Sequence, residues 1–141
     1  MAWISEYLVG IIGLLVLIGM GVWHIIKYFE TVELRKRCTV PVTGMCIGFD
    51  RRGYGRSREY NCSYTFTLGS ETISGNNRVY TGGSLHPQNG DTVELMIDPE
   101  DPRRGIYDPI AKKAEKRYLY TAVAFWLISL YTVFMILKNR M

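Results

Sequence analysis

The sequence predicts a membrane protein of mixed α and β structure, in which two transmembrane helices flank a small antiparallel β-barrel or sandwich of four to six strands. Long uncharged apolar stretches at both ends of the chain, residues 7–26 and 118–137, and alternating polar and apolar residues between them predict this class. At a rise of about 1.5 Å per residue, each stretch is about 30 Å long, the thickness of a bilayer's hydrocarbon core. We therefore predict a first helix with its stalk at 7–36, a β-domain at 37–108, and a second stalk and helix at 109–137.

The first stretch has an alternative interpretation as a cleaved signal peptide. A signal peptide needs a basic start, a shorter apolar run and a small-residue cleavage site. Glu6 is the only charged residue before the stretch, and residues 24–29, at its end and just after it, contain no such site. We therefore expect a retained anchor.

The distribution of cations predicts the topology. Of the 17 Lys and Arg residues, none precedes the first stretch and only Lys138 and Arg140 follow the second. Cytoplasmic segments next to spanning helices carry an excess of Lys and Arg. We expect the central domain to lie on the cytoplasmic side of the plasma membrane, with both termini outside.

Period-two alternation predicts the strands of the central domain. It is cleanest in residues 60–68, and Thr92 to Ile97 alternates in the same way. Gly69-Ser70 between two strand-like runs predicts a two-residue hairpin turn. The first strand, residues 39–49, changes its apolar face halfway, and we predict a β-bulge at Gly44 to explain the change.

Cysteines and histidines indicate no metal or cofactor. Cys38, Cys46 and Cys62 are odd in number and lack Cys-x-x-Cys spacing, so we expect free thiols in a reducing compartment. With only two histidines, the spacings of a zinc site are missing, and buried thiols that pack as small apolar side chains are the favoured interpretation. We expect no cofactor.

Acidic residues next to prolines follow the last predicted strand, at Asp98-Pro99-Glu100-Asp101-Pro102. They could be calcium ligands, but they lack the longer ligand series and the distant bidentate Glu of an EF-hand loop. A turn is the favoured interpretation. Asp108 and Pro109 are typical of the N-cap and the first position of a helix.

Three segments carry a family resemblance: residues 40–44, residues 60–66, and the run from Gly90-Asp91 through a strand to Asp98-Pro99-Glu100-Asp101-Pro102. Together they resemble the prokaryotic domain of unknown function 3592, over residues 39–109. The resemblance implies a small β-domain next to membrane helices. It implies no catalytic residue, because the family pattern defines none.

The most distinctive surface feature is a basic loop at residues 50–58. It could contact nucleic-acid phosphates, anionic lipid headgroups or a protein partner, or it could be a solvated hairpin tip. We expect no nucleic-acid partner, because one short loop lacks an extended basic face. The candidate contact residues are Arg51, Arg52, Tyr54, Arg56 and Arg58.

Two further sets of residues concern how the helices pair. Small side chains let membrane helices approach closely, which makes Gly10, Gly13, Ala122 and Ser129 the candidate packing positions. In the stalks, acidic side chains after the first span should face basic ones before the second. These charges are Glu30 and Glu33 on one side and Lys112, Lys113 and Lys116 on the other.

No pattern of residues indicates catalysis, because neither histidine lies where a Ser or Cys can be paired with it. We expect a non-enzymatic, membrane-anchored interaction protein with an accessory or protective, immunity-type role, acting through contact with another membrane or secreted protein and with membrane lipids. The alternatives are a small subunit of a larger membrane complex or transporter, and a membrane enzyme.

Overall fold

A computed structural model describes residues 2–55, 58–82 and 87–140. Two long helices enclose six strands in chain order. The elements are α1 (Ala2–Arg37), β1 (Val40–Arg52), β2 (Glu59–Leu68), β3 (Glu71–Asn76), β4 (Thr81–Gly82), β5 (Thr92–Ile97), β6 (Ile106–Tyr107) and α2 (Pro109–Arg140).

The strands form one antiparallel sheet with the order β3-β2-β1-β5-β6, and β4 pairs with β2. The predicted antiparallel pairing is confirmed, but the predicted barrel or sandwich is wrong. The sheet curls into a half-barrel and does not close. Its last strand, β6, has only two residues and leads directly into α2, so the chain leaves the sheet before a barrel can close.

The β-bulge in β1 lies three residues beyond the predicted position. The register with β2 shifts between Cys46 and Gly48, which places the extra residue at Ile47. Gly44 is instead a regular inward position that pairs with Val93. Ile47 points outward, where its side chain is 47% exposed, and the bulge turns the following Phe49 towards the core.

The core lies on the concave face of the sheet. Alternate residues of β2 point inward, as predicted, and Gly69 has a φ of 65° in the predicted two-residue turn between β2 and β3. The first residues of α2 contribute Ile110 to the same core. The buried core residues are Cys46, Cys62, Tyr64, Phe66, Ile73, Leu95, Ile97, Ile106 and Ile110.

Contacts divide the chain into two compact units. One unit, hereafter the β-unit, is Glu30–Glu115, and the other, the helix pair, contains the remainder of α1 and α2. In the β-unit, the last turn of α1 packs against the start of α2 through Leu34, Cys38 and Ala111. The β-unit therefore includes part of each helix as well as the sheet.

Among the glycines of α1, Gly21 is the one that lies against α2, whereas the predicted Gly10 and Gly13 do not. A Cβ at Gly21 would lie 2.7 Å from Cδ1 of Trp126, whereas a Cβ at Gly10 or Gly13 would meet nothing within 4 Å. The predicted positions on the other helix, Ala122 and Ser129, are both buried. Helical periodicity in one helix cannot indicate which of its glycines faces the other helix.

Candidate functional site

A groove of about 630 Å³ lies on the convex face of the sheet in the β-unit. It lies between β1, β5, β6 and the first turn of α2. A shallower depression of about 300 Å³ adjoins it, and Thr43 lines both. The groove is lined by Pro41, Val42, Thr43, Glu94, Leu95, Met96, Tyr107, Asp108, Pro109 and Lys112.

Strand register explains the composition of the groove. Pro41 of β1 lies opposite Met96 of β5, and Met96 lies opposite Tyr107 of β6. These three side chains form an apolar floor across three strands. Residues two positions apart share one face of a strand, so Glu94 lies on the same face as Met96. Lys112 of α2 supplies the opposite charge, and the groove therefore combines an apolar floor with one anion and one cation.

The wall formed by α2 is held in place by a buried N-cap. Asp108 Oδ1 accepts a hydrogen bond from the Ala111 backbone N–H at 2.8 Å, and the Asp108 carbonyl accepts one from the Lys112 N–H at 3.0 Å. This confirms the predicted N-cap at Asp108 and helix start at Pro109. Tyr64 Oη donates a 2.5 Å hydrogen bond to Asp108 Oδ2, which links the cap to the centre of β2.

Burial determines the protonation of Asp108 and Tyr64. Burial raises the pKa of the Asp108 carboxyl, and hydrogen bonds from Tyr64, the Ala111 N–H and Asn77 oppose the rise. Burial, followed by the nearby carboxyl of Asp108, raises the pKa of Tyr64. Tyr64 therefore remains a protonated donor at neutral pH, and the pair supports the fold.

A network of asparagine side chains extends from the cap across the sheet. Asn77 Nδ2 donates to the Ile106 carbonyl at 2.8 Å and to Asp108 Oδ1 at 3.1 Å. Asn61 Nδ2 donates to Asn77 Oδ1 at 3.0 Å, and Asn76 Nδ2 donates to Asn61 Oδ1. The network joins β2, β3 and β6, which positions the β6 side of the groove.

A second polar cluster joins the two stalks. Tyr107 Oη donates to Glu115 Oε2 at 2.5 Å, and Arg35 Nη2 lies 3.3 Å from Glu115 Oε1. Glu115 is buried. This ion pair has the opposite sense to the predicted one, because the cation is on α1 and the anion is on α2. Glu115 is on the face of α2 that packs inward, beside Ala111 and Ala114, whereas Lys112 and Lys113 are on the exposed face.

The three cysteines are free thiols, as predicted, and all are buried. Cys46 Sγ and Cys62 Sγ both donate to the Pro87 carbonyl, at 4.0 and 3.7 Å. Burial raises the pKa of Cys62, with a further contribution from the adjacent Cys46, and burial raises the pKa of Cys38 to about 11. The Cys38 and Cys62 thiols are therefore protonated at neutral pH, which does not suit a nucleophile.

The described members of the predicted contact set lie partly in strands and partly in the hairpin loop. β1 and β2 extend further than predicted, so Arg51 and Arg52 are strand residues paired with Tyr60 and Glu59. Arg52 Nε lies 2.7 Å from Glu59 Oε2, and its guanidinium lies 4.2 Å from the ring centre of Tyr80. The remaining candidates are Tyr54, which is 93% exposed, Arg58, which is exposed, and Arg56, which lies outside the described residues.

The groove itself was not predicted from the sequence. Met96 and Tyr107 belong to alternating patterns that predict strands, but their meeting depends on the β5–β6 register. The signal that could have indicated the groove is the apolar residue on the outward face of β5, because Met96 interrupts the polar positions Thr92 and Glu94. Comparisons of this chain with protein families, with curated proteins and with solved structures found no match.

Proposed function

We propose that the chain is a two-span membrane protein whose central β-unit binds another membrane or secreted protein through the groove, in an accessory or protective role without catalysis. The groove on the convex face of the sheet is the observation that carries this proposal. We also propose membership of the domain of unknown function 3592 family, supported by the strand Thr92–Ile97 and the turn after it.

The composition of α1 and α2 supports the membrane anchor. Both helices are long and apolar enough to cross a bilayer. Their apolar side chains point outward, and Leu15 and Leu130 are 62% and 67% exposed. Water would make this surface unfavourable, because soluble monomers rarely expose apolar patches of more than a few hundred Å². Lipid chains would cover it without that cost.

Charge and thiol chemistry support a cytoplasmic location for the β-unit. Arg35, Lys36 and Arg37 end α1, and Lys112 and Lys113 lie near the start of α2. Positive residues beside spanning helices favour the cytoplasmic side. Three free cysteines are usual in a reducing compartment.

The shape of the surface favours a protein segment over a small ligand. The groove and the adjoining depression meet at Thr43 and together follow the convex face from α2 across β5 and β1 to β2. Met45 and Ile47, which are 44% and 47% exposed, extend the apolar surface along β1. A chain segment can follow such a surface, with an apolar side chain over Met96 and polar groups near Glu94 and Lys112.

Site-specific photocrosslinking in membranes of cells that naturally contain the protein tests this proposal. A photoreactive amino acid replaces Thr43 in the groove or, as a control, Ser70 in the exposed β2–β3 turn. We expect a discrete adduct from position 43 alone. Lys112→Glu should reduce its yield several-fold, because it reverses the charge at the groove.

Lys116→Glu is the matched control for that substitution, since it makes the same charge change on the same helix at a residue that does not line the groove. It should leave the yield unchanged. Identical adducts from positions 43 and 70, or equal effects of the two charge reversals, would contradict binding through the groove.

A further inference from the structure

Four exposed cations in the stalk segments of the β-unit form no ion pair within the described residues. In the β-unit, the last turn of α1 lies against the first turns of α2, through the Leu34, Cys38 and Ala111 contacts and the Arg35–Glu115 ion pair. Exposed cations of both helices are sequence neighbours of these contact residues. They are Lys36, Arg37, Lys112 and Lys113, hereafter the stalk cluster.

The side chains of the stalk cluster lack ion pairs. Among the residues that the structure describes, none of its four side chains takes part in an ion pair, whereas the neighbouring Arg35 is paired with the buried Glu115. Mutual repulsion among unpaired cations is unfavourable. An external anion would relieve it.

The position of the lysines at the start of α2 strengthens this argument. The N-terminus of a helix has a partial positive charge, so acidic residues stabilise its first turn and cations oppose it. The first turn of α2 contains no acidic residue, and Lys112 and Lys113 follow it directly. Helix stability therefore does not account for these two cations, although it does account for Lys36 and Arg37 at the C-terminus of α1.

We propose that the stalk cluster binds the phosphate groups of anionic phospholipids. This inference depends on the proposed membrane anchor, because the chain continues from the cluster into the apolar stretches: Lys113 is five residues before Tyr118. A leaflet with anionic headgroups presents phosphates at high density beside such helices. Each Lys or Arg close to such a surface strengthens binding by about fivefold, the equivalent of about 1 kcal/mol.

The test uses the full chain in bilayers that contain spin-labelled phosphatidylglycerol or spin-labelled phosphatidylcholine. Electron paramagnetic resonance measures the fraction of each lipid whose motion is restricted by the protein. We expect the wild type to prefer phosphatidylglycerol, and the preference to weaken between 0.05 and 0.5 M salt because of charge screening.

Arg37→Gln with Lys113→Gln, one change on each helix, should lower the preference several-fold. Lys112 is kept, because it lines the groove. The matched control is Arg51→Gln with Arg58→Gln, which removes the same charge at the tip of the β1–β2 hairpin and should preserve the preference.

Equal preference in the wild type and the stalk variant would overturn the inference, as would a loss confined to the hairpin variant. Loss of the preference in inorganic phosphate at constant ionic strength would assign the cluster to a soluble phosphate compound and also overturn it. If neither lipid shows a restricted fraction, the membrane anchor itself is refuted, and the lipid inference with it.

Discussion

Tyr64 in the middle of β2 donates a 2.5 Å hydrogen bond to Asp108, the N-cap of α2. The two residues are 44 positions apart, and their bond connects the core of the sheet to the helix that forms one wall of the groove. Positioning of α2 on the sheet therefore depends on a buried polar contact in addition to apolar packing.

Tyr64→Phe should destabilise the β-unit. It leaves one oxygen of a buried carboxyl without its donor, which costs about 1–3 kcal/mol. For a unit of this size, that lowers the unfolding temperature by about 5 °C or more. The measurement is the temperature at which the buried Cys46 and Cys62 react with a thiol reagent in bilayer-embedded protein.

Tyr54→Phe is the control, because Tyr54 is 93% exposed and its hydroxyl lies at the surface. It should leave the thiol-exposure temperature unchanged. Equal temperatures for wild type and Tyr64→Phe would show that the Asp108 contact does not stabilise the unit.

Stability should depend on the ionisation of Asp108. Burial raises the pKa of its carboxyl in the folded state above the ordinary value of 3.8, so its contribution is fully present below about pH 3.8 and declines as the pH rises through the folded-state pKa. Asp108→Asn removes this loss, and its amide can still cap the helix. Asp108→Asn should therefore gain stability relative to wild type as the pH rises: the difference between their thiol-exposure temperatures should increase from pH 4 to pH 8. The thiol reagent must be active over this range. A constant difference, or one that decreases, would contradict the raised pKa.

Two glycines of the same sheet, one on each side of β2, should respond differently to the same substitution. A Cβ at Gly75 of β3 would lie 2.8 Å from the carbonyl carbon of Arg103, whereas a Cβ at Gly48 of β1 would meet nothing within 4 Å. Gly75→Ala should cost about 1–3 kcal/mol, because backbone must move, and Gly48→Ala should be nearly neutral. The two variants are compared by their thiol-exposure temperatures. A larger decrease for Gly48→Ala would refute the close contact between β3 and the backbone of Arg103.

The helix pair offers an equivalent comparison. Gly21→Leu should displace the indole of Trp126, whereas Gly13→Leu should not, because a Cβ at position 13 faces open space. The measurement is the emission spectrum of Trp126 after Trp3 and Trp23 have been replaced by Phe. A shift in emission is expected for Gly21→Leu alone; the opposite pattern would restore Gly13 as the packing position.

The sequence predicted the positions of the strands and helices better than the pairing and contacts between them. Alternation identified residues 92–97 as β5 and gave the inward face of β2, because burial on one side of a strand imposes a period of two. The bulge was predicted at Gly44 but lies at Ile47. The sequence shows that the apolar face of β1 changes, but it does not show where the pairing with β2 shifts.

Long-range polar contacts could not be predicted from a local pattern. Asn61 is on the polar face of β2, yet it is buried, because Asn76, Asn77 and Val79 lie beside it and provide hydrogen-bond partners. Glu115 is one anion among the cations of the α2 stalk, and only the packing of α1 shows that it is buried against Arg35. The groove could not be predicted from a local pattern either, because it forms where three strands and a helix meet.

The most direct test of the account is the topology of the chain. Ser70→Cys places a thiol in the exposed β2–β3 turn, and Asn139→Cys places one at the exposed end of α2; the native cysteines are buried and should remain silent. With a thiol reagent that cannot cross membranes, we predict that position 139 is labelled in intact cells and position 70 only after permeabilisation. Labelling of position 70 in intact cells, or the same response at both positions, would contradict a cytoplasmic β-unit held between two spanning helices.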